Sequence, residues 1–218
     1  MRLIAGIEEA GRGPIIGPMV MCGILIVEGD ELRFKALKVK DSKLLTPNQR
    51  EKLYKEILKI AKKHEIEIIT PSQIDAALKS DSLNLNKLEA ITSANIINKL
   101  KPDKVILDCP SNNVKMYVDF VNIHLKNPNI DLLAEHKADV NHPVVAAASI
   151  IAKVVRDRKI EQLKKKIGQD FGSGYTSDPV TRSFLEKNWE KYPDIFRKTW
   201  ITYKKIKKAK HQRKLEGY

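Results

Sequence analysis

Residues 3–27, LIAGIEEAGRGPIIGPMVMCGILIV, decide the fold. Residues 3–7 are a short apolar run closed by Glu8 and Glu9, which reads as a strand. Residues 19–27 are a second apolar run, rich in Val and Ile. Gly and Pro crowd the stretch between them, so the two read as a hairpin. Downstream, the pattern switches to alternation. Thr46-Pro47-Asn48-Gln49 is a capping box with Pro at the first helical position, and Thr70-Pro71-Ser72-Gln73 repeats it. The first opens a helix to about residue 64 with Leu53, Ile57, Leu58 and Ile60 on one face. Strand-like runs follow at 65–69, 104–107 and 131–134. Helices are expected from Asn84 or Asn86 to Leu100, over 114–125, over 143–167, after Asp178-Pro179, and over 197–210. A hairpin followed by alternating strands and helices predicts an α/β fold, a mixed sheet with helices on its faces.

The 218 residues fit one domain, or a domain with a small extension. The longest early charge-free stretch, 14–27, is too short for a membrane span and is broken by Gly and Pro. Glu8 and Glu9 interrupt the only early apolar run, which argues against a secretory signal. Two cysteines, Cys22 and Cys109, are too few for a disulfide framework, and a reducing cytoplasm is the natural setting. The net charge is +13, and the segment from Arg197 onward carries +8 of it, with nine basic residues against Glu216. A basic C-terminal segment suggests a polyanion, most often nucleic acid, though a solvated lysine-rich helix gives the same composition.

Four carboxylates stand just past strand ends. Glu8 and Glu9 close the first strand, Asp108 closes KVIL (104–107), and Asp139 follows the run at 131–134. In open α/β sheets that edge is where ligands bind. Clustered carboxylates repel one another unless a cation or proton intervenes. Oxygen-only ligands suit Mg²⁺ or Mn²⁺, and two such ions would suit phosphodiester hydrolysis. Taken singly, each acid reads sooner as a turn residue or helix cap than as a catalytic group. Gly11-Arg12-Gly13 follows at once, and it is no P-loop, since no Gly-Lys-Ser/Thr follows it.

With these motifs in place the chain resembles the type 2 ribonuclease H family (ribonuclease HII), in an archaeal-like single-chain form. The resemblance rests on GIEEAGRGP at 6–14, IGPMV at 16–20, KDSKLLT at 40–46, AEHKAD at 134–139, PVVAAASIIAKVVRD at 143–157 and GSGYTSDP at 172–179, in the family's order. It implies a ribonuclease H-like catalytic domain over 1–170 and a small helical, substrate-binding C-terminal part over 171–218. The implied activity is cleavage of the RNA strand of RNA/DNA hybrids and incision 5′ to single ribonucleotides embedded in duplex DNA. The products would carry 5′-phosphate and 3′-hydroxyl ends, as ribonucleotide removal from DNA requires. The family's metal-binding, catalytic acids fall on Glu8, Glu9, Asp108 and Asp139, with two Mg²⁺ or Mn²⁺ ions as cofactors. Its junction-contacting loop falls on Gly11, Arg12 and Gly13, and its sugar-stacking tyrosine on Tyr175. Lys43, Ser149, Lys153 and Arg156 fall in motifs that would face phosphates; the last three share a helix face by spacing, with Val145, Ala148, Ala152 and Val155 as the core face.

The resemblance further implies partners in RNA/DNA hybrid and ribonucleotide-containing duplex DNA, a monomer, no membrane, and an open question over a sliding clamp. The motif at residue 6 disfavours the ribonuclease HIII branch, which carries an extra N-terminal domain. Two departures stand out. Glu8 occupies a position where the family has Asp, and Thr176 one where Pro is common. Glu8 leaves three readings open: a tolerated natural residue, a substitution introduced to slow cleavage, or a centre that binds hybrids without cutting them. His142 near Asp139 reads better as a core or capping residue than as a proton shuttle, and His136 as a residue that orients the strand.

Overall fold

The hairpin is formed by β1 (Leu3–Ala10) and β2 (Met19–Val27), paired antiparallel from Leu3–Val27 to Ala10–Val20. The structure, a computed structural model, describes residues 1–39 and 45–215. Strand β1 also pairs in parallel with β4 (Lys104–Asp108), and β4 in parallel with β5 (Asp131–Glu135). With β3 (Lys63–Ile69) beside β2, the five strands run in the order β3-β2-β1-β4-β5, a mixed sheet. Parallel neighbours need crossovers, and α5 (Val114–Ile123) carries the chain from β4 to β5. The remaining helices are α1 (Glu31–Ala36), α2 (Pro47–Ile60), α3 (Pro71–Lys79), α4 (Leu85–Leu100), α6 (Ala138–Asn141), α7 (Pro143–Ile167), α8 (Pro179–Asn188) and α9 (Ile201–Leu215). Both Thr-Pro-x-Gln boxes are made: Thr46 and Thr70 each accept from the amide of the Gln three residues on and are capped in return. No helix among the described residues is long and apolar enough to cross a membrane.

The chain divides into two units that interleave in sequence. The first comprises 1–10, 20–68 and 85–156 and holds the sheet. Its core joins Ile4, Ile24, Ile26, Phe34, Ile57 and Ile106 to the first half of α7. Residues 144–152 of α7 are buried on every side, as VVAAASIIA, apolar all round apart from Ser149, dictates. The two-faced helix expected from spacing is therefore not observed here. Ser149 and Arg156 are buried, and Lys153 and Val155 are half-buried. The first turn of α7 lies directly on β1. A Cβ on Gly6 would stand 2.5 Å from the carbonyl carbon of Val144 and 2.6 Å from the nitrogen of Val145, so only glycine fits.

The second unit comprises 11–19, 69–84 and 157–218. Its core is aromatic: Phe171, Phe184, Trp189, Phe196 and Tyr203 close on Ile15, Ile16 and Ile160. Asp178 caps α8 by accepting from Val180 N at 2.9 Å. The last helix begins at Ile201, not at 197 as the sequence suggests. The reason is tertiary. Buried Asp75 on α3 accepts from Lys198 N at 2.8 Å and from Thr199 N at 2.9 Å and Oγ1 at 2.6 Å, which holds this stretch outside the helix.

Candidate active site

Strand register assembles the acids. In the β1–β4 ladder Ile7 faces Leu107, so the next step along both strands sets Glu8 beside Asp108. On the other side Asp108 faces Glu135, and the chain leaving β5 returns through Lys137 to Asp139 on α6. Lys137 adopts a left-handed conformation, φ 59°, uncommon without glycine. That turn brings Ala138 N within 2.7 Å of Asp108 Oδ1, so one acid holds the loop that carries another. Glu8 is buried, and its Oε2 has no hydrogen-bond partner among the described residues. Its carboxyl is pushed well above the usual range, first by burial and then by the negative charges of Glu9, Asp108 and Asp139. All four expected acids thus share one electrostatic neighbourhood. Among the described residues no group of three or more His, Cys, Asp or Glu side chains is arranged to hold a metal ion. An all-oxygen, mutually repelling set with an orphaned buried oxygen fits hard divalent cations.

Neighbouring histidines are committed elsewhere. His136 Nδ1–H donates to the carbonyl of Cys109 at 3.0 Å, fixing the segment after Asp108. His142 Nε2–H donates to Glu135 Oε1 at 3.1 Å, and Asn141 donates to the same oxygen at 2.8 Å. Both contacts orient the β5–α6 connection. A buried acid that sequence reading passed over, Glu89 on α4, bears on Cys109 and Tyr117, as does Glu9.

In the second unit the Gly-Arg-Gly loop and the Gly-Ser-Gly-Tyr loop are built against each other. Gly174 O accepts from Ile15 N at 2.8 Å and Ile16 N at 3.2 Å. A Cβ on Gly13 would stand 3.6 Å from the Tyr175 ring edge. The structure therefore brings Gly13 and Tyr175 together, with Tyr175 39% exposed. Gly174 N donates to Thr181 Oγ1 at 3.0 Å, Ser173 N to Asp178 at 2.7 Å, and Arg182 holds the carbonyl of Thr176 at 3.1 Å. Those amide contacts, led by Ser173, hold the Asp178 carboxyl below its usual range. Arg197 went unnoticed in the sequence. It is fully buried beside this loop, and its guanidinium donates to the carbonyls of Gly11, Arg12 and Gly17. Lys43 lies outside the described residues.

The family model for ribonuclease HII matches residues 5–203. The chain belongs to the ribonuclease HII family. A ribonuclease HII of Pyrococcus horikoshii is 44% identical over 208 residues, covering 93% of this chain and 92% of the relative. The crystal structure of the ribonuclease H2 from Pyrococcus horikoshii superposes with TM-score 0.86 at 42% identity, covering 95% of this chain and 98% of that one. A ribonuclease HII of Archaeoglobus fulgidus, solved in complex with PCNA, superposes with TM-score 0.82 at 41% identity, covering 91% and 95%. The mixed sheet with flanking helices is the ribonuclease H-like fold of these neighbours. As a ribonuclease HII the protein is a hydrolase, an endonuclease of the ribonuclease H class acting on RNA/DNA hybrids, and the family depends on divalent metal.

Proposed function

We propose that this ribonuclease HII cleaves the RNA strand of RNA/DNA hybrids and incises 5′ to single ribonucleotides in duplex DNA, leaving 5′-phosphate and 3′-hydroxyl ends. One observation carries the reading. Buried Glu8, within β1 and with an oxygen lacking any partner among the described residues, lies in the field of Glu9, Asp108 and Asp139 on a ribonuclease H-like sheet. These four acids would hold Mg²⁺ or Mn²⁺. Lewis acidity toward the attacking water and the leaving oxygen is what such ions supply when bound. The chain's own residues do the rest. Asp108 anchors the Asp139 loop through Ala138 N, and His136 and Glu135 fix the turn around it.

Gly11, Arg12 and Gly13 offer backbone that approaches a ribose hydroxyl, the group that separates RNA from DNA. Tyr175, beside Gly13, offers a ring for the sugar that follows. Ser149, Lys153 and Arg156 are proposed to act toward phosphates. Burial makes Ser149 and Arg156 short-range contacts, with Lys153 the most accessible of the three. Both cysteines are free and buried, which suits a reducing cytoplasm. By likeness to the Archaeoglobus protein solved with PCNA, a sliding clamp is proposed as a partner.

Glu8 also favours a second reading, a hybrid-binding protein with weakened or absent cleavage. One experiment separates the two. A DNA duplex holding one ribonucleotide is incubated with Mg²⁺, Mn²⁺ or EDTA, beside the Glu8→Asp variant. Metal-dependent cutting on the 5′ side of the ribonucleotide by this chain supports the enzyme reading. Cutting by the variant alone means that Glu8 disables an intact site. Silence from both overturns the cleavage proposal.

A further inference from the structure

Arg197 and Trp200 form a clamp on the Gly-Arg-Gly loop. Arg197 is the largest fully buried side chain among the described residues. Its Nη2 donates to Gly11 O at 2.6 Å, its Nη1 to Arg12 O at 2.7 Å and its Nε to Gly17 O at 3.1 Å. The guanidinium lies 4.9 Å from the centre of the Trp200 ring, and Trp200 Nε1 donates to Gly13 O at 3.1 Å. Arg197 N donates in turn to Ile15 O at 2.9 Å. Three consecutive carbonyls, those of Gly11, Arg12 and Gly13, are thus held by one pair of side chains.

The peptide geometry gives this a consequence. A trans peptide points its C=O and N–H in opposite directions, and no peptide bond among the described residues is cis. Fixing the carbonyls of Gly11 and Arg12 toward the clamp turns the N–H groups of Arg12 and Gly13 away from it. The third fixed carbonyl precedes Pro14, which has no N–H. The clamp therefore sets the direction of two adjacent backbone N–H groups, those of Arg12 and Gly13. Gly11, at φ 83°, supplies the left-handed turn this needs. Burying a guanidinium costs several kcal/mol of hydration unless its donors are well matched. Its rigid fork orients several acceptors at once, which a lysine cannot do.

We propose that Arg197 and Trp200 are positioning residues that set ribose discrimination by aiming the Arg12 and Gly13 amides. This rests on the reading of residues 11–13 as the ribose-facing loop. Neither residue touches substrate; both act through the loop backbone.

The test is a binding measurement in EDTA, independent of whether Glu8 permits cleavage. Fluorescence anisotropy gives the Kd for a DNA duplex with one ribonucleotide and for the same duplex without it, and the ratio of the two is the readout. Trp200→Phe keeps the ring under the guanidinium and removes only the donor to Gly13. Arg197→Lys keeps a cation and removes the fork. Each is expected to lower the preference for the ribonucleotide duplex about fivefold, the worth of roughly one hydrogen bond, while all-DNA affinity stays within about twofold. Gly11→Ala, strained at its positive φ, serves as the control and should lower the ratio as well. If Gly11→Ala lowers the ratio and the clamp variants do not, the clamp is structural only and the proposal is overturned. Equal losses on both duplexes overturn it too. If the Gly11→Ala ratio is unchanged, the ribose-facing reading itself fails, and the proposal with it. Should Arg197→Lys not fold, Trp200→Phe decides alone.

Discussion

Glu8 is where this chain's chemistry and its stability pull apart. Its carboxylate is buried, one oxygen lacks a partner among the described residues, and three further acids bear on it. Relative to aspartate, the extra methylene moves the carboxylate by about 1 Å, and a displacement of that size can cost about a hundredfold in rate. Glu8→Asp is therefore expected to raise turnover on a ribonucleotide-containing duplex at least tenfold, read by single-turnover cleavage; an unchanged rate would show that the site already accommodates glutamate. The same residue makes the ion-free protein pH-sensitive. The carboxyl is raised in the folded state, so between the ordinary glutamate range and the raised value the native protein binds more protons than the unfolded chain. Stability then falls as pH rises through that window and stays reduced above it. Melting curves in EDTA should show this decline. Glu8→Gln should remove Glu8's contribution, raising Tm at pH 8, while abolishing cleavage. A Glu8→Gln protein that melts lower at pH 8, with the same slope as the parent, would sink this account.

At the scale of elements, α7 depends on a bare stretch of β1. A methyl group on Gly6 would meet the backbone of Val144 and Val145 at 2.5–2.6 Å, and backbone cannot rotate aside as a side chain can. Gly6→Ala is expected to destabilise the fold by about 1–3 kcal/mol or more, the usual cost of overpacking, measured by urea unfolding; a loss under about 0.5 kcal/mol would mean that α7 slides freely on β1. Elements whose ends are set by local chemistry were legible in the sequence. The two Thr-Pro-x-Gln boxes start α2 and α3 as read, and α7 runs from Pro143 to Ile167 as the Pro and Gly168 signals require. Ends set by distant partners were not. The helix expected to reach residue 64 stops at Ile60, because Ala61 turns extended and Lys62 N joins the sheet at Leu25 O, 2.8 Å away. The helix expected to reach residue 125 stops at Ile123, where Asn98 of α4 donates to His124 O at 3.0 Å and accepts from Lys126 N at 2.8 Å. The candidate site divides the same way. Acids beside apolar runs are visible as residue types in a pattern, but the first strand does not close at Glu8 and Glu9 as expected: it continues through both to Ala10, because the ladder with β2 extends to Ala10–Val20. Arg197 was hidden because its acceptors are backbone carbonyls 180 and more positions away, and a carbonyl carries no sequence signature.

For the whole molecule, the uneven charge is the property most open to test. Helix α9 turns Tyr203 into the aromatic core of its unit, with Ile206 packed against the same cluster, while Lys204, Lys205, Lys207 and Lys208 are exposed. The apolar contacts of this helix and its charges are therefore separable, and the charges can be removed without unseating it. Basic residues that neutralise phosphates release counterions, and each such contact contributes about −0.9 to the slope of log K against log salt on duplex DNA. Replacing the four lysines by glutamine lowers the net charge from +13 by four and leaves Tyr203 and Ile206 in place. If α9 runs along the duplex, affinity measured at several salt concentrations should lose about 2–4 units of slope, falling most at low salt and least at high salt. The ratio of affinities for ribonucleotide-containing and all-DNA duplexes should stay constant, because phosphate contacts position a protein without reading its target. A slope that stays the same would make α9 a solvated helix and return phosphate binding to the first unit. A changed ratio would place the lysines near the ribose-reading loops, a role that sequence-independent contacts cannot fill.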